Sequence, residues 1–517
     1  MASAHTKDAG LLTPIDQDRQ SAPKMVSDTI AAGVVFALLM TVGQKIIGFV
    51  RGILFCKFMT DQELGQWSMV WSFLMLLAPF AVLGLPGCFG RFSEYYRSRG
   101  QLRSFIVRIG VVSTVMTFLM AGVIFAFPAK VSELIFGSDQ QIGVVYGLAF
   151  ALVIVSLSNF LSSLMESLRQ VKVVTAMRFV TGIVFAVVGS WLIWAWDDSA
   201  SAAAVGYAAA CILGIIPAMW VLWKFRGEIN NDGEDLSHTE MWKRIAPFAI
   251  WLWASNVCHN FFEVSDRYML IHWSSSPVDI AQGFVGQYHS GRVVPLLFVS
   301  VAMMLGGVLL PYMSAHWEAG KPEKAVKQLN WTIKLVSLCF TALGIIVMFL
   351  SPILFTWILE GRYDAGLRVL PLTLVYCTWF CLFIVGQDYL WVAEKGKWAA
   401  LAIFVGLVAN IVLNMTLIPV MGLNGAVVAT TIGNLINLLM IFSFNHYFGC
   451  KTDGGIWACV ATPLLLIVNP LLGAACMIGL LTIAWRSDWF FSEEEKSDIV
   501  DGAEAAFEKG MKVIGRA

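Results

Sequence analysis

Apolar runs long enough to cross a bilayer recur from residue 28 to residue 485 of this chain of 517 residues. A helix needs about 20 apolar residues to span the hydrocarbon core. The sequence predicts spans at residues 28–56, 64–88, 104–128, 142–165, 173–196, 202–223, 245–271, 284–312, 326–351, 368–391, 398–418 and 422–446. With 58% hydrophobic and 14% charged residues, where a soluble domain has about a quarter charged, the chain is predicted to be an all-α, multi-pass membrane protein.

The pattern of polar and apolar segments predicts six parts. They are a disordered cytoplasmic tail (1–27), an N-terminal six-helix lobe (28–226), a cytoplasmic linker (227–244), a C-terminal six-helix lobe (245–448), an extra membrane segment (449–491) and an amphipathic C-terminal helix (492–517). The extra segment is either one tilted helix or a tight hairpin around Asn469 and Pro470, since it is long for one span and short for two. Ser492 and Glu495 have the spacing of a capping box.

The two halves of the chain share a short motif. The second span begins LGQWSMVWSF at Leu64, and the eighth begins VGQYHSGRVV at Val285, so each contains Gly-Gln-aromatic. Two copies of six helices have the same orientation, which predicts a parallel repeat about an axis along the membrane normal. Transporters built in this way commonly bind substrate between the halves.

The placement of basic residues predicts the orientation. Lys and Arg are enriched in the short connections on the cytoplasmic side. With the N-terminus inside, that side carries Arg91, Arg97, Arg99, Arg103, Arg169, Lys172, Lys224, Arg226, Lys243, Arg244, Lys321, Lys324, Lys327, Lys395 and Lys397. The opposite connections carry Lys57, Lys130, Arg267, Arg362 and Arg368. We therefore expect the protein to lie in the cytoplasmic (inner) membrane, with its N-terminus in the cytoplasm.

Two cations lie inside the first predicted span. Lys45 and Arg51 occur in the stretch GQKIIGFVRG, and no Asp or Glu occurs between Thr29 and Thr60. A cation at mid-bilayer costs roughly 2.5 to 3.5 kcal/mol on insertion scales, so it faces a polar cavity, reaches the interface or has a partner. Six residues apart on a straight helix, the two side chains point about 120° apart. We expect at least one of them to line a cavity.

The second half contains its own group of charged residues. Arg292 has no carboxylate within one helical turn, and we expect it to face a cavity without local neutralisation. Glu263 and Arg267 are four residues apart and are expected to pair, with Asp266 beside them near the outer surface. His259, one turn from Glu263, is expected to hydrogen-bond within the bundle. Arg178 and Asp388 are expected to face loops.

Cations gathered in a cavity favour an anionic cargo, because Arg and Lys bind phosphate oxygens through charge-assisted hydrogen bonds. The ten cysteines are scattered singly, without metal-ligand spacing. The chain also has no GxxxxGK[ST] loop for ATP. The sequence thus predicts no metal, no cofactor and no nucleic-acid partner.

The sequence resembles the multidrug/oligosaccharidyl-lipid/polysaccharide flippase superfamily, and within it the O-antigen type flippases of lipid-linked oligosaccharides. The resemblance covers about residues 28 to 448 and rests on several motifs. These are FVRGILFCKFMTDQELGQWSM, FAVLGLPGCFGRF, EVSDRYML, VGQYHSGRVVPLLF and NIVLNMTLIPVMGLNGAVVATTIGN. It implies two six-helix bundles related by pseudo-twofold symmetry, a MATE-like fold, with one or two extra C-terminal membrane helices.

The resemblance also implies site residues. Related lipid II flippases have a GFVR-like element in their first helix and a Tyr-Arg-Pro pattern in their eighth, whose arginines are implicated in holding the lipid diphosphate. These positions match Arg51 and Arg292, and Lys45 matches another basic position of the first element. Gly52 stands where lipid II flippases usually have an acid. The acid that drug exporters often have in the first helix is also missing. Asp266, Arg267, His259 and Glu263 are further candidates for a cavity or coupling role.

The predicted function is therefore a flippase, not an enzyme, that moves polyprenyl-diphosphate-linked oligosaccharide across the cytoplasmic membrane by alternating access. The product would be O-antigen, capsule or exopolysaccharide, with membrane lipids and a polysaccharide polymerase and export machinery as partners. The alternatives are a cation-coupled multidrug exporter of the same fold and a lipid II flippase. A membrane polymerase or glycosyltransferase is disfavoured, because every outer connection is short.

Overall fold

The computed structural model describes residues 30–196, 199–225, 236–451, 454–486, 490–493 and 495–497. Within these ranges the chain is helical and contains no strand. The helices are α1 (Ile30–Phe58), α2 (Asp61–Ala81), α3 (Phe89–Arg97), α4 (Leu102–Ala126), α5 (Pro128–Phe136), α6 (Ile142–Ser167), α7 (Val171–Val184), α8 (Ser190–Ala195), α9 (Ser199–Gly214), α10 (Ile216–Lys224), α11 (His238–Trp273), α12 (Val278–Arg292), α13 (Pro295–Glu318), α14 (Pro322–Pro352), α15 (Asp364–Gly386), α16 (Asp388–Val392), α17 (Gly396–Met421), α18 (Leu423–Tyr447), α19 (Gly454–Ala461) and α20 (Pro470–Arg486).

These helices form two bundles. The first lobe comprises α1 to α10, in which α7 packs on α1 and α9, and α6 packs on α4 and α9. The second lobe comprises α11 to α18, centred on α15, with α17 and α18 packed on each other. Ten helices in the described ranges are long and apolar enough to cross a membrane. In addition, α1 and α11, with 29 and 36 residues, occupy the first and seventh predicted spans.

Several elements differ from the predicted spans. The eighth span is two helices, because Pro295 has no backbone N–H and restricts the residue before it, so α12 ends at Arg292 and α13 begins at Pro295. The extra C-terminal segment is also two helical pieces, Gly454–Leu466 and Pro470–Arg486, both shorter than a full span. Of the two alternatives left open by the sequence, one tilted helix does not match the structure, since the chain breaks before Pro470.

Some predicted segments lie partly or wholly outside the described residues. The N-terminal tail lies outside them, as does most of the predicted linker, and α11 already begins at His238. The C-terminal helix is described at its start only. There the Ser492 backbone N–H donates to Glu495 Oε2 at 2.8 Å, and the Glu495 N–H donates to Ser492 Oγ at 3.3 Å, as the capping-box spacing predicts.

The repeated motifs meet where the two lobes touch. A Cβ added at Gly65 of α2 would lie 1.9 Å from the carbonyl oxygen of Gln282, and one added at Gly286 of α12 would lie 1.8 Å from that of Asp61. Each of those carbonyls belongs to the residue four positions before the opposite glycine, so the contact is symmetric between the lobes. Small residues permit such close approach of membrane helices.

Glutamine side chains reinforce this contact. Gln66 Nε2 donates to Gln282 Oε1 at 3.0 Å. Gln287 Nε2 donates to Asp61 Oδ2 at 3.1 Å, and the Gly366 backbone N–H donates to Gln287 Oε1 at 3.0 Å. The two Gly-Gln motifs thus close one end of the bundle, which we call the α2–α12 end.

The lobes also touch at the opposite end. The rings of Phe92 on α3 and Phe248 on α11 lie 5.6 Å apart, edge to face. The guanidinium of Arg244 on α11 lies 3.7 Å from the ring centroid of Tyr95 on α3. These two zones of contact between the lobes leave space between them in the middle of the molecule.

Alanine at Gly286 or at Gly65 is expected to separate α2 from α12, since the new Cβ atoms would overlap backbone carbonyl oxygens. Both variants should melt at lower temperature than the parent in detergent. Gly307→Ala is the matched control, because no atom lies within 4 Å of its added Cβ and alanine exceeds glycine in helix propensity by about 1 kcal/mol. Equal melting temperatures for all three variants would contradict the close contact.

Candidate functional site

A cavity of about 970 Å³ lies between the lobes. Its wall comes from α1, α2, α6, α7 and α9 of the first lobe and from α11, α12, α13, α15 and α17 of the second. Trp67 and His289, two and three residues beyond Gly65 and Gly286, already line it. The cavity therefore begins directly beneath the closed α2–α12 end, and its size is at the upper limit of ordinary ligand sites.

Lys45 and Arg51 both line this cavity. Arg51 packs its guanidinium 4.3 Å from the ring centroid of Phe185 and 6.0 Å from that of Phe55, within the range of a cation–π interaction. Among the ion pairs of the described residues, none includes Lys45 or Arg51. Although their side chains diverge on α1, the cavity is wide enough to reach both.

Arg292 has a partner that its own helix does not supply. Its Nη2 donates to Glu263 Oε1 of α11 at 2.8 Å, and both side chains line a small pocket that adjoins the large cavity. The expectation that Arg292 lacks local neutralisation is therefore wrong, because the carboxylate comes from a neighbouring helix. Arg267 Nη2 lies 3.8 Å from the same oxygen, so the predicted Glu263–Arg267 pair is present but longer.

Arg267 and Arg292 are both buried, but their hydrogen bonds are incomplete. Arg267 Nη1 donates to Ser72 Oγ on α2, across the interface between the lobes. Nε of Arg267, and Nε and Nη1 of Arg292, have no partner among the described residues. A guanidinium offers five N–H donors, so Arg292 retains unused donors beside the cavity.

Asp266 is buried and fully hydrogen-bonded. Its Oδ1 accepts from Asn410 Nδ2 at 3.0 Å and from Asn414 Nδ2 at 2.8 Å. Its Oδ2 accepts from Thr430 Oγ1 at 2.6 Å and from Tyr288 OH at 3.0 Å. These partners place the carboxylate inside the second lobe, against α12, α17 and α18.

Three other expectations are corrected by the structure. His259 is exposed on the cavity wall and makes no hydrogen bond with the described part of the chain. Arg178 does not face a loop; it lines the cavity and pairs with Glu166. Asp388 is buried, and its Oδ2 has no hydrogen-bond partner among the described residues.

His289 is a site residue that the sequence analysis missed. It lines the cavity, and its Nδ1 lies 3.3 Å from Ser68 Oγ on the opposite lobe. Its place in the motif VGQYHSGR, three residues before Arg292, could have indicated it. His289 therefore places an imidazole where the two lobes meet above the cavity.

The described residues contain no group of three or more His, Cys, Asp or Glu side chains that could hold a metal ion. The cavity lining offers basic, acidic, imidazole, hydroxyl, amide and aromatic side chains for contact with a ligand.

Two family models match the chain. A model described as "Polysaccharide biosynthesis protein" matches residues 30–317, and one described as "MatE" matches residues 252–416. The lipid II flippase MurJ of Bacillus subtilis is 21% identical over 455 residues, which cover 81% of this chain and 82% of that protein. An uncharacterized membrane protein of Methanocaldococcus jannaschii is 19% identical over 415 residues, 75% of this chain and 78% of that protein.

Solved structures share the fold. An inward closed conformation of the lipid II flippase MurJ superposes with a TM-score of 0.66 at 15% identity and covers 87% of this chain and 99% of its own. An inward-facing multidrug resistance transporter of the MATE family superposes with a TM-score of 0.63 at 14% identity and covers 82% of this chain and 98% of its own. Two six-helix bundles with additional C-terminal helices are therefore confirmed as the fold.

Glu263→Gln is expected to destabilise the protein, because it leaves the buried Arg292 and Arg267 without their shared carboxylate. Removing one partner of a fully buried ion pair costs about 3–5 kcal/mol, and the loss here should be smaller because the Glu263 side chain is 33% exposed. Glu166→Gln is the matched control. Its pair with Arg178 is half exposed, and such pairs contribute about 0–1 kcal/mol. Thermal unfolding in detergent should show a much larger loss for Glu263→Gln, and equal losses would argue against a buried charge cluster.

Proposed function

The chain belongs to the polysaccharide biosynthesis protein family of the multidrug/oligosaccharidyl-lipid/polysaccharide flippase superfamily, and we propose that it translocates a polyprenyl-diphosphate-linked oligosaccharide across the cytoplasmic membrane. The relatives with a stated function are flippases and transporters. Membership of the family does not identify the cargo or the residues that bind it.

One observation supports this cargo above the others. Lys45 and Arg51 face a cavity of about 970 Å³ and lack a carboxylate partner in the described part of the chain. Cations within a membrane protein that lack a counter-ion are costly, and a diphosphate headgroup would supply the missing negative charge. The volume suits a headgroup with attached sugars, while the polyprenyl tail would stay in lipid through a gap between the lobes.

Arg292 is the proposed second half of the diphosphate site. Its pair with Glu263 balances its charge, but its Nε and Nη1 have no partner. In this scheme the diphosphate first binds Lys45 and Arg51 and then approaches Arg292 as the lobes move. Glu263 would neutralise the charge of the buried Arg292 guanidinium between transport cycles.

The proposed mechanism is alternating access. With the N-terminus in the cytoplasm, the closed α2–α12 end faces outward, and it must open when the opposite end closes. Outward movement of two negative charges down an inside-negative potential yields about 4.6 kcal/mol per 100 mV. The membrane potential is thus one sufficient source of energy. A polymerase and export machinery are the proposed partners that consume the cargo outside.

Lipid II is an alternative cargo, since the similar protein of Bacillus subtilis is named a lipid II flippase and lipid II has the same diphosphate chemistry. Gly52, in place of an acid after Arg51, favours a different oligosaccharide. A cation-coupled drug exporter is less compatible with the site, because Lys45 and Arg51 would repel a cationic drug.

Arg51→Ala is expected to abolish translocation, because it removes a cation that binds the diphosphate. The protein should still fold, because Arg51 has no carboxylate partner that its removal would leave unpaired. Arg292→Ala should also abolish it, but with lower protein stability, since Glu263 would lose its partner. Arg97→Ala is the matched control, because Arg97 lies outside the cavity and pairs with exposed Glu94. The measurement is the leaflet distribution of diphosphate-linked oligosaccharides in cells depleted of the natural protein and supplied with each variant.

The proposal would be supported if diphosphate-linked oligosaccharides accumulate in the cytoplasmic leaflet of depleted cells. The natural chain and Arg97→Ala should relieve this accumulation, and Arg51→Ala should not. Accumulation of lipid II alone would assign the chain to that cargo. Unchanged lipid intermediates would overturn the flippase proposal and favour drug export, whereas incomplete glycans accumulating outside would indicate a polymerase.

A further inference from the structure

Five aromatic side chains form a continuous cluster on the first-lobe side of the cavity. They come from four parts of the fold: α1, α2, the segment after α7, and α9. They are Phe55, Trp67, Trp71, Phe185 and Tyr207. Neighbouring ring centroids lie between 4.9 and 6.0 Å apart, the usual range for interacting aromatic side chains.

Part of this cluster is core, and part of it is more open to the cavity. All five residues line the cavity, but Phe55, Trp67 and Phe185 are buried, whereas Trp71 and Tyr207 are half-buried and expose more of their rings to the open space. The Trp71 indole N–H donates no hydrogen bond within the described ranges and is not among the enclosed unpaired groups. Its polar edge is therefore free to meet a ligand.

The second lobe also presents aromatic rings to the cavity. They are Phe380 and Phe383, whose ring centroids lie 6.0 Å apart and which carry no N–H or O–H. By the repeat, Tyr288 corresponds to Trp67, but Tyr288 is buried and donates to Asp266, while Tyr376 donates to it at 3.2 Å. The tryptophan and tyrosine side chains that line the cavity in the described part of the chain therefore belong to the first lobe.

Unpaired polar side chains line the same lobe of the cavity. Asn159, Ser162 and Ser163 project from α6, and Gln44 projects from α1. No hydrogen bond joins any of these four side chains to the rest of the described chain, although serine in a helix often bonds to the carbonyl four residues before it. They offer hydrogen-bond donors and acceptors to a ligand in the same cavity.

A π-helical segment connects the aromatic surface to the cation. Residues Phe185–Gly189 form π turns between α7 and α8, and Phe185 lies under Arg51 at 4.3 Å. A Cβ at Gly206 would lie 2.7 Å from the Cα of Gly189, so α9 packs closely against this segment. π turns within α-helices occur frequently at functional sites.

We propose that Trp71 and Tyr207, with the polar side chains of α6, form a binding site for the sugar rings next to the diphosphate. A pyranose has an apolar C–H face that packs on an aromatic ring and hydroxyl groups at its rim that need donors and acceptors. The guanidinium of Arg51 lies 4.3 Å from the ring centroid of Phe185, which lies 5.1 Å from that of Tyr207, so the proposed diphosphate site adjoins the aromatic part of this site. This inference rests on the proposed function and adds which chemical part of the cargo the first lobe selects.

The experiment compares two kinds of probe with the purified full-length protein. One is geranyl diphosphate, and the other is a panel of geranyl diphosphates that carry one glucose, galactose or N-acetylglucosamine. We expect at least one glycosylated probe to bind the natural chain about tenfold more tightly than the bare probe, the upper end of what an aromatic contact contributes. Trp71→Ala should remove this gain and leave binding of the bare diphosphate unchanged.

Matched variants separate the sugar site from other effects. Trp71→Phe and Tyr207→Phe keep an aromatic face and should retain most of the gain. Trp223→Ala removes a tryptophan exposed outside the cavity and should change neither affinity. Arg51→Ala should weaken the bare and glycosylated probes by the same factor, because it acts on the diphosphate.

The outcomes distinguish the two proposals. If no probe binds the natural chain, the diphosphate-flippase proposal itself fails. If the bare probe binds and no glycosylated probe gains affinity, the sugar site is overturned while the flippase proposal stands. Equal weakening of bare and glycosylated probes by Trp71→Ala would assign Trp71 a structural role and would also overturn the sugar site.

Discussion

The backbone contact between Gly65 and Gly286 sets the geometry on which the cavity depends. Because neither glycine carries a side chain, α2 and α12 meet at backbone distance, and the lobes diverge from that point. The contact is secured by Gln66, Gln282 and Gln287 through amide hydrogen bonds rather than by interdigitated apolar side chains. Water can replace amide hydrogen bonds at modest net cost. The closed end is therefore tight and yet able to separate, as a transporter with alternating access requires.

The two lobes differ in how their buried charged side chains are neutralised. In the second lobe Glu263 pairs with Arg292 and lies near Arg267, while Asp266 is satisfied by hydrogen-bond donors from three helices. That lobe contains its own counter-ion and is organised without a ligand. In the first lobe the guanidinium of Arg51 lies against the rings of Phe55 and Phe185 and forms no ion pair within the described residues. An anion in the cavity would therefore gain most of its electrostatic stabilisation from the first lobe.

Hydropathy predicted most of the membrane helices, and the apolar context of Lys45 and Arg51 predicted that at least one of them lines a cavity, where the structure has both on its wall. The sequence did not reveal the partner of Arg292, because Glu263 is 29 positions away and reaches it only through packing of α11 on α12. The π segment at Phe185–Gly189 has no sequence pattern of its own. The break before Pro295 could have been predicted from proline chemistry, but the surrounding apolar residues masked it. Local patterns define helices, whereas pairings between helices need the tertiary fold.

The combination of groups in the first lobe is more selective than either kind alone. Cations by themselves would bind any phosphate, and aromatic rings by themselves would bind any flat apolar surface. Here the guanidinium of Arg51 lies on Phe185, and that ring continues into Tyr207 at 5.1 Å and from there into Trp71 at 4.9 Å. A cationic drug would suit the rings but not Lys45 or Arg51, and a bare lipid phosphate would leave the rings and the α6 hydroxyls unused. A cargo whose sugar is bonded directly to its diphosphate would engage both parts of this surface at once.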